Sequence, residues 1–97
     1  MKITHLGKEL PSTEEHEILA DPNEFPFGFE IGVVNVDDTT TELHNVTEFH
    51  YMYNRHMGNI RDRMAFESDI HGTGITVEIN EVKEIEITKS TWKQTNL

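Results

Sequence analysis

The residues of this 97-residue chain that could do chemistry are six histidines, a Ser-Asp-x-His run and eighteen carboxylates. His44 and His50 share the parity of one strand face. They are six residues apart, about 20 Å at roughly 3.3 Å per residue, too far to hold one ion. His5, His16, His56 and His71 fall in separate segments, with no His-x-His or HExxH spacing among them. The chain has no cysteine, which excludes disulfides, thiol catalysis and thiolate-ligated zinc together. Ser68, Asp69 and His71 are neighbours in sequence, but catalytic triads are assembled in space and no G-x-S-x-G turn is present. His71-Gly72-Thr73-Gly74 reads as a glycine turn, because it lacks the spacing and lysine of a phosphate loop. Asn45-Val46-Thr47 spells a glycosylation sequon that we treat as chance. These readings predict no catalytic residue, no metal and no cofactor.

The carboxylates carry a different message. Eighteen Asp and Glu face eight Lys and Arg, a net charge of −10. No basic residue falls between Lys8 and Arg55, while eleven acidic residues do. Phosphate contacts need clustered Lys and Arg, so direct binding to nucleic acid or an anionic membrane is disfavoured. A basic partner is favoured. The bland explanation, acidity for solubility alone, fits many proteins of this charge. Neither a leader-length apolar run at the N-terminus nor a stretch approaching about 18 apolar residues occurs, so a cytoplasmic protein is expected.

The elements that must position these charges read as one domain over residues 1–97, with a polar tail from about 89. Alternation over residues 2–6 predicts a first strand. Ser12 lies three residues before Glu15, the spacing of a capping box, and predicts a short helix over about 13–20 closed by Asp21-Pro22. Residues 23–28 read as a loop with buried aromatics. Phe29 to Val36 and Thr41 to Tyr53, joined by the turn Asp37-Asp38-Thr39-Thr40, predict a β-hairpin. Leu43, Thr47, Phe49, Tyr51 and Tyr53 would face inward, with Glu42, His44, Glu48 and His50 outward. Residues 54–63 read as a connection, and strands are expected over 64–70, 75–79 and 82–88. Glu81 stands at a corner, and Trp92 is the only anchor of the tail. The fold class is α+β but mostly β: an antiparallel twisted sheet or small open barrel of five to six strands with one short helix.

On those strands Glu42, Glu48, Glu78, Glu84 and Glu86 all take outward positions, and Asp37 and Asp38 crown the hairpin turn. Same-face residues repeat every ~6.6 Å along a strand and neighbouring strands lie ~4.8 Å apart, so the carboxylates form a two-dimensional array. DNA carries one charge per ~3.4 Å along each strand. A short, cysteine-free, strongly acidic chain with such strand faces resembles the small phage-encoded DNA-mimic proteins that disable host DNA-binding proteins, of the type that inhibits the nucleoid protein HU. The resemblance lies in size and charge geometry over the whole chain and in no motif. Arg55, Arg61 and Arg63 depart from a uniformly acidic surface. It implies an inhibitor that acts in the host cytoplasm, touches no nucleic acid itself and occupies the nucleic-acid site of a basic DNA-binding protein. A homodimer is a further option if a strand edge is open.

Two other classes stay in view. One is an accessory module that binds a protein through an aromatic face of Phe25, Phe27, Phe29, Tyr51 and Tyr53. The other, ranked third, is a metal or hydrolytic protein built on His44, His50 or His71.

Overall fold

The structure, a computed structural model, describes residues 1–52, 63–68 and 74–92. Eight strands make one curled sheet, an open half-barrel: β1 (Lys2–His5), β2 (Lys8–Leu10), β3 (His16–Leu19), β4 (Phe29–Asn35), β5 (Thr40–Met52), β6 (Arg63–Ser68), β7 (Gly74–Glu78) and β8 (Val82–Lys89). Their order is β2-β1-β8-β4-β5-β6-β7, and β3 pairs with the second half of β5. Among the described residues every pairing is antiparallel except β1 with β8, which is parallel. The mostly-β sheet or open barrel expected from alternation is therefore present. The strand count is higher than five or six, and the sheet is mixed.

The strands follow from side-chain parity. Phe29, Ile31 and Val33 of β4, Ile85 and Ile87 of β8 and Ile3 of β1 are buried, while the residues between them face outward. Register aligns them into inner rows, Ile31 opposite Ile87 and Val33 opposite Ile85, with Ile85 in turn opposite Ile3. Burying alternate branched side chains from three adjacent strands is the main stabilising term of such a sheet.

The helix expected over 13–20 is a strand instead. His16, Ile18 and Ala20 are partly buried while Glu17 and Leu19 are exposed, a period of two. β3 lies against β5 with His16 opposite Tyr51 and Ile18 opposite Phe49. The Tyr51 hydroxyl donates to the Ser12 carbonyl at 2.7 Å, and the Ala20 amide to the Thr47 carbonyl at 2.9 Å. A capping-box spacing offers a few tenths to about 1 kcal/mol, and a helix of eight residues is too short to hold itself in water. Pairing with the long β5 edge outweighs it.

The β4–β5 hairpin forms as expected, but β5 is not a regular strand. Phe29 pairs with Val46 and Ile31 with Leu43, so β5 holds one extra residue there. A second extra residue falls between Val46 and Glu48 on the β6 side. Two bulges restore the parity, which keeps Leu43, Phe49 and Tyr51 inward. Between them Asn45 and Val46 are the buried residues, where regular alternation put Thr47. The corner expected at Glu81 is a single 3-10 turn over Ile79–Glu81. The expectations for residues 54–62, Tyr53 and the turn His71-Gly72-Thr73 lie outside the described residues.

Candidate partner-binding face

The face is built around Gly32. On β4 the outward positions are Glu30, Gly32 and Val34, flanked by β8 and β5. Gly32 lies opposite Glu42 on one side and Glu86 on the other; Val34 lies opposite Thr40 and Glu84. Beyond β8, Lys2 and Thr4 of β1 lie opposite Glu84 and Glu86. Because Gly32 has no side chain, a shallow hollow runs over β4, lined by Gly32, Glu30, Glu42, Glu84 and Glu86 among others. A Cβ added at Gly32 would meet no atom within 4 Å, so the hollow is open space.

Four carboxylates thus stand on three adjacent strands. Glu42 is open, its side chain 78% exposed, and Glu86 is also exposed. Glu30 is more enclosed: its Oε1 meets His44 Nδ1 at 3.0 Å, and Nε2 of the same imidazole lies 3.9 Å from Glu42 Oε2. The His44 ring rests against Trp92, with ring centroids 4.7 Å apart. Lys2 is the cation in register at the margin of this face.

Of the seven acidic residues singled out from sequence, Glu42, Glu84 and Glu86 are brought together here. Glu48 sits on the far half of β5, beyond both bulges, where its Oε2 meets His50 Nε2 at 3.2 Å. Glu78 is on β7, two strands past β5, partly buried and in register with Arg63. Asp37 and Asp38 occupy the hairpin turn. The Thr39 hydroxyl and amide both donate to Asp37 Oδ1 and hold its carboxyl below the usual carboxylate range. Asp38 takes a left-handed φ of 66° and pairs with Lys83 at 2.8 Å, which raises the lysine above its ordinary value. Both aspartates serve the turn first. Glu30 was missed in the sequence because it follows Phe29 at a strand start; its parity with Gly32 and Val34 is the signal that places it outward.

Among the described residues no three His, Asp or Glu side chains converge on a metal-sized site. Asp69 and His71 lie outside the described residues. The sequon residue Asn45 is fully buried and its amide is engaged. Among the described residues the aromatics do not share an exposed face: Phe29 and Tyr51 are core, the Phe25 ring meets Phe29 at a tilt with centroids 4.8 Å apart, and Phe27 is 37% exposed. No helix among the described residues is long and apolar enough to cross a membrane. Compared with known families, curated proteins and solved structures, the chain matches none.

Proposed function

We propose that this chain is an acidic binding protein whose β8-β4-β5 face takes the place of DNA in the nucleic-acid site of a basic host DNA-binding protein, of which the nucleoid protein HU is the type. The observation that supports the reading is the placement of Glu30, Glu42, Glu84 and Glu86 on three adjacent strands around an open glycine position. Glu84 and Glu86 are about 6.6 Å apart along β8, and Glu42 and Glu86 stand two strand spacings, about 10 Å, apart. That density is lower than a duplex offers, so single contacts fall short of DNA and recognition depends on several Lys or Arg side chains at once. Charge-assisted pairs with carboxylates then replace pairs with phosphates. Crowded like charges on the free face repel, and a cationic partner relieves the repulsion.

A purified complex with HU tests this. Neutralising Glu42, Glu84 and Glu86 together (Glu→Gln) removes three charges and leaves the shape. The variant should bind at least tenfold more weakly at low salt, on the order of 1.4 kcal/mol, and lose most of the salt dependence. Glu14→Gln, at an exposed position off this face, is a single-charge control and should bind as the parent does. Unchanged affinity in the triple variant would rule this face out as the binding surface.

A further inference from the structure

His5 is a titratable group that the acidic face does not use. It closes β1 on the inner side of the sheet, in the row of Ile87 on β8 and Lys8 on β2. Its ring is set edge-on to Phe29, with centroids 5.8 Å apart and planes at 90°. Its Nε2 is shut off from solvent with no hydrogen-bond partner. The carboxylates on the elements packed against it point elsewhere: Glu9, Glu84 and Glu86 stand on the opposite face, and Glu30 meets His44. The Asp21 carboxylate accepts the Asn23 amide of its own loop, and Glu24 is exposed in that loop. The cations nearby are Lys8, in register with it, and Lys89, which lies over the Phe25 ring. Nothing among the described residues compensates a charge on this imidazole.

We propose that His5 is an acid-sensitive latch whose protonation releases the β1–β2 hairpin from β8 while the β4–β5 core stays folded. The neutral ring fits the site, whereas the imidazolium places an unpaired charge against Phe29. Burial lowers the affinity of this imidazole for a proton, in agreement with the geometry. The unfolded or released hairpin therefore binds more protons than the latched one just below the ordinary imidazole value. The contribution to stability is complete above that value and is lost as the pH falls towards the lowered one. The hairpin is the element to yield, because it is short and joined to the sheet through four register pairs from Lys2 to His5. Its release leaves the edge of β8 open beside Glu84 and Glu86.

The test compares the parent with His5→Phe, which keeps a ring and cannot be protonated. Denaturant unfolding between pH 7.5 and 5 should show the parent losing up to about tenfold in its folding constant per pH unit relative to the variant. His16, His44 and His50 are common to both proteins and cancel. In the parent, the His5 ring should titrate below 6.5 by NMR, and the Leu6 amide, bonded to the Ile87 carbonyl at 2.9 Å, should gain exchange in mild acid before β4 and β5 amides do. A His5 ring that titrates at or above 6.5, or exchange that rises uniformly across the sheet, overturns the latch. The ring titration decides the matter even if His5→Phe does not fold.

Discussion

One side-chain amide, that of Asn45, ties three separate chain segments together. Its Nδ2 lies 2.9 Å from the Phe27 carbonyl, 2.7 Å from the Trp92 carbonyl and 3.4 Å from the Ser90 hydroxyl. Its backbone sits at a φ of 55°, a conformation that asparagine tolerates better than most residues. Asn45→Ala should cost about 2–4 kcal/mol in denaturant unfolding, since it takes this donor from the part-buried Phe27 carbonyl, leaves the Trp92 carbonyl with the Ser90 hydroxyl alone and keeps the unfavourable φ. Asn45→Gly relieves the φ term and should recover roughly 1 kcal/mol of that loss. At the hairpin tip, Asp37 holds its carboxyl below the ordinary value of 3.8 by accepting from Thr39. A lowered carboxyl stabilises the fold above its ordinary value, and the effect vanishes as acid titrates it. Thr39→Val should therefore be less stable than the parent at neutral pH, with the difference shrinking below about pH 4. Neither role was legible in the sequence. Asn45 sits in a stretch that reads as plain alternation, and its partners are 18 to 47 residues away.

At the scale of elements, two glycines, one just before β4 and one within it, behave oppositely. Gly28 has a φ of 70°, and a Cβ there would stand 2.7 Å from the Val46 carbonyl oxygen. Gly28→Ala must move backbone and should lose more than about 2 kcal/mol. Gly32→Ala meets open space and should be neutral or gain up to roughly 1 kcal/mol by thermal unfolding. Local sequence identified the β4–β5 hairpin, because branched residues alternate on both arms of an Asp-Asp-Thr-Thr turn. It misread β3, where a capping signal and acidic residues at the start of a short segment looked helical. The choice was made by β5, whose length leaves an edge for β3 after β4 has ended. Local sequence also passed over β2, which returns from β1 through Leu6 and Gly7, both at positive φ. The Asn-Gly or Asp-Gly signature of such a turn is absent. Leu6→Asn should stabilise that hairpin by about 0.5–1 kcal/mol.

Over the whole molecule, the charge total was plain in the sequence and its arrangement only partly so. Parity marked Glu42, Glu84 and Glu86 as outward, but parity along one strand does not say which strands become neighbours. The parallel pairing of β1 with β8 joins residues about 80 apart in sequence, and it brings Lys2 beside Glu84. Strand order also separates Glu78 from the other carboxylates, since β6 and β5 lie between β7 and β4. Among the described residues the carboxylates thus gather over β8, β4 and β5 as Glu30, Glu42, Glu84 and Glu86, with Glu9 farther out on β2. Binding through this face should weaken as salt is added, with a slope set by the number of ion pairs it makes, and recover when the salt is removed.

The most direct measurement is capture of partners from a bacterial lysate by the tagged chain, eluted in parallel with salt and with duplex DNA, beside the Glu42, Glu84 and Glu86 triple variant. Mimicry of DNA predicts one abundant basic DNA-binding protein, released by salt and by DNA alike and missing from the variant's capture. A partner that resists both eluents, or one that the variant captures equally well, would contradict the acidic face as a stand-in for DNA.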